Sequence, residues 1–392
     1  MPKLSRRELI RTTAALPLFP LVANASRWLG QKKHAPESFD WSKGVVDGAM
    51  HRQPDPALLG RWGYAISLAL YGQYLLYLRT SDKRYLDYLQ GWVDNNLEAD
   101  GAIKAKLNAL DDMLGGNLLL ILFKETGQQK YKTSAQSIRK RLDTYPRTED
   151  GGLWHATSRQ HQLWLDGMYM SMPFLVRYGA AFKDEEYACD EAVKQLLIYA
   201  HHLNDPASGL LFHAYDESCQ QPWADPATRH SAIFWCRAIG WYGMALIEVL
   251  ELLPHHHPQR EDLIKLVRQL AAAYEKYQDP ATGLWYQVVD GAAVPGNWLE
   301  TSSSCMYTYT LSRAVERGYV AKRYTAVSRK GYAGVLTQLS RDKDGFAHIA
   351  NICQGTNVGD LAFYLARPKS TDDFHGIGAF LIMNEQLRKT GA

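Results

Sequence analysis

Apolar residues recur along most of this chain with the spacing of one helix face. Trp62, Ile66, Leu70 and Leu76 show this spacing in the stretch that ends at Leu78. The same pattern predicts eight further helices, and no segment alternates with a period of two for long enough to predict a major sheet. The predicted helices cover residues 62–78, 111–126, 167–180, 184–202, 232–253, 260–277, 301–316, 322–338 and 376–389.

A related turn centred on glycine recurs five times between the predicted helices, at intervals of 51, 57, 74 and 62 residues. Each interval holds about two helices, which is typical of an array of helix pairs. Pairs that close into a ring shield their inner helices behind the outer ones. The sequence therefore predicts an all-α toroid of six helix pairs, in which the sixth turn has lost the recognisable pattern. The alternative is a set of unrelated helical hairpins joined by ordinary glycine turns. The turns are Ala99–Ile103, Glu149–His155, Ala207–His213, Ala281–Gln287 and Lys343–His348, with Gly101, Gly152, Gly209, Gly283 and Gly345 as markers.

The aromatic and histidine residues of these turns all follow the glycine, as Trp154 and His155 do in the second copy. In a toroid the turns lie at one rim, so these side chains are expected to meet there. The chain also has 11 Trp and 23 Tyr, many of them in polar, glycine-containing stretches. Because aromatic rings stack on the C–H faces of sugars while sugar hydroxyls need polar neighbours, this composition favours a carbohydrate pocket.

The first 25 residues have the features of an export signal. Ser5–Ile10 resembles the twin-arginine motif, an apolar run follows from Ala14 to Val22, and Ala23–Ala25 has the small residues expected at a cleavage site. A basic N-terminal helix is the alternative. We therefore expect a signal over 1–25 and a single catalytic domain over 26–392, with the mature protein periplasmic or extracellular.

The net charge of +3 does not indicate a basic protein. It is accounted for by Lys3, Arg6, Arg7 and Arg11 against Glu8 alone, so the remainder of the chain is neutral overall. No basic stripe with interleaved aromatic residues follows, and no later stretch has the roughly 18–20 apolar residues of a membrane span. Neither a nucleic-acid partner nor a membrane span is expected.

No segment has the spacing of a metal or cofactor site. The histidines of Pro254–Pro258 lie in a proline-bounded link without Asp, Glu or Cys placed to complete a shell, so an exposed loop is the preferred interpretation. No phosphate-binding loop or dinucleotide motif is present. The five cysteines form no CxxC pair and are predicted to be free thiols: Cys189, Cys219, Cys236, Cys305 and Cys353.

The segment around Asp166 contains the strongest candidate for acid–base chemistry. Asp166 precedes the predicted helix 167–180, where a carboxylate commonly caps free backbone amides. Its neighbours Trp164 and Tyr169 favour a second interpretation, because partial removal of water would raise the pKa of this carboxyl group into the range of a general acid. His155 is expected at the same rim. The residues alone leave both interpretations open.

Two further segments carry candidate chemistry. Asp111 and Asp112 begin a predicted helix, where they either cap it or provide a second acid opposite Asp166. Arg237 lies between Trp235 and Trp241, and its donor fork suits a carboxylate or vicinal hydroxyls. The alternative is that the two tryptophans belong to the core and the arginine neutralises a buried acid.

Together these motifs resemble glycoside hydrolase family 105, the unsaturated rhamnogalacturonyl hydrolases, which is related to the unsaturated glucuronyl hydrolases of family 88. The matching motifs occur in family order across roughly residues 60–385. They are Pro146–Thr148 leading to Gly151–His155, Leu163–Met170, Phe234-Trp235-x-Arg237-Ala238-x-Gly240-Trp241, Leu299–Ser302 and His375-Gly376-x-Gly378-x-Phe380-Leu381.

The resemblance implies an (α/α)6 barrel and an unusual glycosidase reaction without a metal or organic cofactor. The implied substrate is a lyase-generated oligosaccharide, of the rhamnogalacturonan or ulvan type, that ends in a uronate with a carbon 4–carbon 5 double bond. One aspartate protonates carbon 4, water adds at carbon 5, and the hemiketal collapses with loss of the linked sugar. A polysaccharide lyase or sugar epimerase on the same barrel, and a non-catalytic sugar-binding toroid, are the alternatives.

Position by position, the resemblance implies that Asp166 is the acid/base and Asp111 the assisting carboxylate, with Asp112 as the weaker choice. Two departures from the family pattern bear on this transfer. Met113–Gly116 replaces an Asn-Pro-Gly that is often seen after the assisting aspartate, and Cys236 and Ile239 stand where Gly and Asn are common. The residues expected to bind the sugar are Trp62, Asp112, His155, Trp164, His213, Arg237, Trp241 and His375.

Overall fold

The computed structural model describes residues 39–391, and most of them are helical. From Asp40 onward they form one compact unit. The predicted export signal over 1–25 and the domain boundary after it lie outside the described residues. The helices in this range are α1 Trp41–Arg52, α2 Tyr64–Thr80, α3 Lys83–Asn95, α4 Gly116–Thr126, α5 Gln129–Asp143, α6 Gly167–Phe182, α7 Glu185–Leu203, α8 Cys236–Leu252, α9 Arg260–Tyr277, α10 Thr301–Glu316, α11 Tyr324–Leu336, α12 Leu361–Leu365 and α13 Phe374–Lys389.

Six of these helices form a closed inner ring. In order around the ring they are α2, α4, α6, α8, α10 and α13, and α13 packs against α2 to close it. Helices α1, α3, α5, α7, α9 and α11 lie outside as the second member of each pair. The inner helix α8 is buried along nearly its whole length, whereas α3 buries one face only. The predicted all-α toroid, an (α/α)6 barrel, is confirmed.

All nine predicted helices are present, with ends that differ by a few residues. The sequence analysis missed α1, α3, α5 and the short α12. Helix α3 has a clear amphipathic pattern, in which Tyr85, Leu89 and Trp92 are buried. It was missed because it follows α2 after only two residues, Ser81 and Asp82; Asp82 caps it by accepting the Arg84 amide.

The recurring glycine turn connects an outer helix to the next inner helix in five of the six pairs. A left-handed backbone is needed in each copy, and the second copy places it at Gly151 (φ 93°), not at the predicted marker Gly152. A Cβ on Gly283 would lie 2.4 Å from the carbonyl oxygen of Lys330, so that turn also requires glycine for space. After α1 the sixth connection has a different sequence, with Gly60 at φ 88°. The other left-handed turn glycines are Gly101, Gly209, Gly283 and Gly345.

The strands are short and form only two-stranded antiparallel sheets in the described part of the chain. Their registers pair Gln162 with Asp216, Trp285 with Glu300, Leu339 with Ile349, and Ile352 with Ser370. The strand pairs join the connecting loops at one rim. For the described residues this agrees with the sequence, which predicts no major sheet. They are β1 Gln162–Trp164, β2 Ala214–Asp216, β3 Trp285–Tyr286, β4 Leu299–Glu300, β5 Leu339–Arg341, β6 Ala347–Ile349, β7 Ile352–Cys353 and β8 Lys369–Ser370.

The cysteines and the histidine-containing link after α8 are the remaining features singled out in the sequence. The five cysteines are free thiols, of which Cys219 is half-buried and the others are buried. His257 in the proline-bounded link lies 3.1 Å from a carboxylate oxygen of Asp190. Between residues 39 and 391 no helix has the length and apolar character needed to cross a bilayer, and no three His, Cys, Asp or Glu side chains are grouped to hold a metal.

A polar network inside the ring joins five of the six inner helices. Arg177 of α6 forms an ion pair with Glu248 of α8 and donates to Asn117 Oδ1 of α4 (2.6 Å) and to the Tyr71 hydroxyl of α2 (3.0 Å). Tyr309 of α10 donates to the second oxygen of Glu248 at 2.5 Å. Because both charges lie away from bulk water, each depends on the other for solvation.

We expect Arg177→Met to lower the free energy of unfolding by about 3 kcal/mol, because it leaves Glu248 buried without its cation. Urea denaturation measures the change. Arg317→Met is the matched control, since Arg317 pairs with Glu251 at the surface and such pairs contribute about 0–1 kcal/mol. Equal losses in the two variants would contradict a special role for the network.

Candidate active site

The candidate catalytic residues converge at the rim where the inner helices begin. Asp111 lies in a short 3-10 helix, Leu110–Met113, just before α4, and Asp166 directly precedes α6. Arg237 is in the first turn of α8 and His375 in the first turn of α13. Every inner helix therefore directs its N-terminus, where the helix dipole favours negative charge, toward one site.

Asp166 does not act as a helix cap. It occupies the position before α6, but its side chain accepts no hydrogen bond from the free amides of that helix. Its Oδ2 instead lies 3.1 Å from Nε2 of His213, which reaches the site from the third glycine turn. The capping interpretation of Asp166 is wrong, and the carboxylate is free for chemistry.

Tyr364 holds the side of the His213 ring that faces away from Asp166. The tyrosine hydroxyl lies 2.6 Å from His213 Nδ1. Burial raises the pKa of Tyr364, so its hydroxyl keeps its own proton at neutral pH. Because the pKa of Asp166 is lowered, its carboxylate is the acceptor and His213 Nε2 donates to it.

Asp111 and Asp166 form an unequal pair of acids. Burial, together with the charges of Asp166 and Asp112, raises the pKa of Asp111 to about 8. Burial also acts to raise the pKa of Asp166, but the hydrogen bond from His213 and the positive charge of Arg237 act against it, and that pKa is lowered. At neutral pH the pair therefore holds one proton, on Asp111. The prediction that aromatic neighbours raise the pKa of Asp166 is wrong in the free protein, because it left out the histidines.

Asp112 has a different role from Asp111. Its Oδ2 accepts the backbone amides of Asn108 and Ala109, each at 3.0 Å, so this carboxylate stabilises the turn that presents Asp111. Its backbone oxygen accepts a hydrogen bond from Trp62 Nε1 at 2.8 Å. These contacts engage the Asp112 carboxylate, whereas Asp111 is the acid on which the charge of Asp166 acts. The predicted sugar-binding role of Asp112 is not supported by its side-chain contacts.

His155 and Trp164 form a stacked wall beside Asp166. Their rings are 4.4 Å apart and nearly parallel, and Trp164 also meets the edge of His213. Burial lowers the pKa of His155 to about 4, so the imidazole is neutral at physiological pH. Its buried Nδ1 has no hydrogen-bond partner in the structure. This atom is available to a bound ligand.

Arg237 is a buried cation. Its guanidinium donates to the backbone oxygens of Cys353 and Gln354 and, at 3.5 Å, to the Ser302 hydroxyl, but among the described residues it forms no ion pair with a carboxylate. Its Nε has no partner. Glu300 is a fully buried acid close by: Ser302 Oγ lies 2.8 Å from both of its carboxylate oxygens, and the charge of Glu300 raises the pKa of Arg237. The alternative that Arg237 helps to neutralise a buried acid is therefore supported through this Ser302 link.

Aromatic rings complete the site around Tyr64, the first residue of α2. Tyr64 meets the edges of Trp241 and His375, with ring centroids 6.3 and 5.3 Å away. Trp241 in turn stacks on Tyr169 at 5.1 Å. Burial is the main cause of the raised pKa of Tyr64, and the charges of Arg237, Asp111 and Asp166 all act on it. Tyr64 is thus central to the site.

The structure brings most of the predicted site residues together, but not every residue of the glycine turns. Trp62 is buried against Trp92 and lies beside the site instead of inside it. Trp285 packs against Tyr274 and Tyr307, away from the carboxylates. The expectation that all turn aromatics meet at the site is therefore wrong.

The sequence analysis missed Tyr64 and Tyr364. Tyr64 begins an inner helix, as Arg237 and His375 nearly do, so the first turn of each predicted inner helix was a signal that could have found it. Tyr364 lies in the short helix α12 and meets His213 across 151 residues of sequence, and no local pattern marks it.

Known proteins share this fold and these motifs. The family model Glycosyl Hydrolase Family 88 matches residues 41–390. A solved family 105 glycoside hydrolase from C. acetobutylicum is 35% identical, with 89% of this chain and 99% of that chain covered and a TM-score of 0.86. The unsaturated rhamnogalacturonyl hydrolase YesR of Bacillus subtilis is 28% identical over 303 residues, which are 76% of this chain and 80% of that protein.

The fold is also present in a protein described as a polysaccharide lyase. That solved structure is 21% identical, with 90% of this chain and 97% of that chain covered and a TM-score of 0.68. At this identity the likeness extends to the fold alone.

We expect substitutions of the two neighbouring aspartates to have opposite effects on stability. Folded Asp111 keeps its proton up to about pH 8, whereas the unfolded chain releases it near pH 4, so between these values the folded state loses stability as pH rises. Asp111→Asn removes this penalty and should raise the free energy of unfolding by up to about 5 kcal/mol at pH 8. Asp112→Ala removes a cap and should lower it by about 1 kcal/mol.

Urea denaturation at pH 4, 6 and 8 measures both effects. The gain from Asp111→Asn should grow with pH, whereas Asp112→Ala, which keeps the Asp111 carboxyl group, should not reproduce that gain. A destabilised Asp111→Asn protein at pH 8 would show that Asp111 is ionised and paired in the folded state.

Proposed function

The chain belongs to glycosyl hydrolase family 88, and we propose that it removes a terminal 4,5-unsaturated uronate from oligosaccharides left by a polysaccharide lyase. One observation carries the proposal: at one rim of the barrel the pKa values of Asp111 and Asp166 are shifted in opposite directions, and the buried guanidinium of Arg237 there forms no direct ion pair with a carboxylate of the described residues. Protonation of a carbon–carbon double bond needs an acid and then a base, and recognition of a uronate needs a cation. This site contains all three.

The uronate carboxylate is best matched by Arg237. Its guanidinium is buried next to Trp235, 4.8 Å from the ring centre, and makes no direct ion pair with a carboxylate among residues 39–391. A planar carboxylate fits an arginine fork in two parallel hydrogen bonds. The stacked rings of Trp241 and Tyr169 provide a flat apolar surface for the sugar ring.

Substrate binding also moves the shared proton toward Asp166. In the free protein the charge of Arg237 is one of the causes that lower the pKa of Asp166. A bound uronate neutralises Arg237, so the pKa of Asp166 rises and the proton of the pair becomes available at this carboxyl group. His213 holds the carboxyl in place through its Nε2 hydrogen.

The reaction then needs no nucleophilic attack at the anomeric carbon. The acid gives its proton to carbon 4 of the enol ether, and positive charge develops at carbon 5. The resulting carboxylate takes a proton from water as the water oxygen bonds to carbon 5. The hemiketal so formed opens to a ketone at carbon 5, and the hemiacetal left at carbon 1 releases the linked sugar. The products are a 4-deoxy-5-keto uronate and a shortened saccharide.

Candidate substrates are unsaturated products from rhamnogalacturonan, with pectin and ulvan products as the comparison set. YesR, to which this chain is similar, is named a rhamnogalacturonyl hydrolase. The twin-arginine-like motif Ser5–Ile10 adds the proposal that this protein acts outside the cytoplasm.

We expect Asp166→Asn to lower kcat by a factor of about 10³ or more, because the variant loses proton transfer and water activation together. The measurement is the loss of ultraviolet absorbance of the conjugated double bond in the lyase-digested polymers. Asp150→Asn is a matched control, since Asp150 lies in a glycine turn and pairs with His202 instead of reaching the site.

The direction of the absorbance change separates the alternatives. A fall establishes the hydrolase, whereas a rise on undigested polymer would identify a lyase. Unchanged absorbance with a folded wild-type protein that binds the sugar would favour a non-catalytic toroid. An Asp166→Asn variant with a tenth of wild-type activity would rule out Asp166 as the acid/base.

We expect kcat/KM to fall as pH rises through about 8. Above this value Asp111 loses the single proton of the pair in the free enzyme, and none is left for carbon 4. The rate of absorbance loss at low substrate concentration, measured from pH 5 to 10, tests this. Asp150→Asn should keep the limb near 8, because Asp150 pairs with His202 away from the site. A basic limb below pH 6.5 would instead point to a histidine.

A further inference from the structure

A basic groove adjoins the active site and has no part in the reaction described above. It has a volume of about 1070 Å³ and lies between the connection that follows α1 and the turn that follows α3. Ligand pockets are commonly about 300–1,000 Å³, so the groove is large enough for more than one sugar ring. Its lining residues include Arg61, Trp62, Asn96, Lys104, Lys106 and Asp112.

The groove opens toward the catalytic carboxylates along two segments of chain. Trp62 lines the groove, and Tyr64, two residues later, lies close enough to Asp111 and Asp166 for both charges to raise its pKa. Asp112 lines it as well, directly after Asp111. The Trp62 indole joins these segments by its hydrogen bond to the Asp112 backbone. A saccharide held at the site can therefore continue into the groove.

The charge of the groove is positive and unbalanced. Arg61, Lys104 and Lys106 are exposed, and none of them forms an ion pair with another residue in the 39–391 range. Lys104 Nζ donates to the backbone oxygen of Asn95 at 2.9 Å, which directs its side chain along the groove wall. The acidic residue of the lining, Asp112, has its carboxylate bound by two backbone amides.

We propose that this groove is a distal subsite that binds a second anionic group of the substrate, a carboxylate or sulfate ester on a sugar beyond the one released. The inference rests on the proposed function, because a lyase that cuts a uronate polymer leaves products in which acidic sugars follow the unsaturated end. A chain that places its unsaturated uronate at Arg237 then extends past Asp111 to the three cations. Longer acidic products are the preferred substrates.

The test compares unsaturated tetrasaccharides with the matching disaccharide, which ends before the groove. Wild-type kcat/KM should be higher for the tetrasaccharide, and Arg61→Ala/Lys104→Ala/Lys106→Ala should remove the preference by raising KM for the tetrasaccharide about tenfold with little change in kcat. The preference should also shrink in 0.5 M NaCl. Pectin-type and ulvan-type tetrasaccharides distinguish carboxylate from sulfate as the bound group.

The control is Lys265→Ala/Lys322→Ala, which removes two exposed lysines near the opposite rim and should keep the preference. Equal kcat/KM for the two lengths in the wild type, or a preference that survives the triple substitution, would overturn the proposal. Calorimetry of both saccharides with the Asp166→Asn variant measures their affinities without turnover. It therefore tests the distal subsite separately from the proposed hydrolase activity. Tighter, cation-dependent binding of the tetrasaccharide would support the subsite even if the wild type left the double bond intact.

Discussion

The buried pair between Arg177 and Glu248 is the interaction on which the arrangement of the inner ring depends. The interior of a six-helix ring is polar where it contains water or charged groups. Apolar packing alone therefore does not define the rotation of each helix about its own axis. Here one guanidinium and one carboxylate reach α2, α4, α6, α8 and α10 at once. Helix α13 joins the ring by a separate pair, Glu385 with Arg79 of α2. Because a charge inside the ring must be paired, these hydrogen bonds select one rotation for each helix.

The active site is built directly on this network. Tyr169 is the link: burial and then the charge of Glu248 raise its pKa, while Arg177 acts to lower it, and its ring stacks on Trp241 at 5.1 Å. Rotation of an inner helix about its axis would move its first turn. Tyr64, Arg237 or Asp166 would move with it. The ring thus positions groups from distant parts of the sequence to the accuracy that shared proton transfer requires.

Much of the fold, and about half of the site, could be predicted from the sequence. The helix period and the repeated glycine turn predicted the toroid, since both are local patterns. Asp166, Arg237 and His213 were found because each stands near a helix start or a turn. The direction of the Asp166 pKa was not found, because it depends on His213 and His155, which approach from other turns. Local neighbours such as Trp164 predict that water is removed from the Asp166 carboxyl group. Only the folded ring shows which groups offset the effect of this burial on the pKa. Tyr364 was out of reach for the same reason.

The unequal pair of acids explains why the site keeps features that weaken the fold. Asp111 is held without a hydrogen-bond donor that would stabilise its charge, while Asp166 receives one from His213. If both carboxyl groups had donors, both would ionise and no proton would be available for carbon 4. If neither had one, no base would remain for water. The asymmetry lies in the His213 hydrogen bond, which Asp166 receives. Arg237 makes no direct ion pair with a carboxylate of the described residues, and its charge lowers the pKa of Asp166. In the proposed reaction one bound uronate carboxylate would therefore pair with Arg237 and at the same time make Asp166 a stronger proton acceptor.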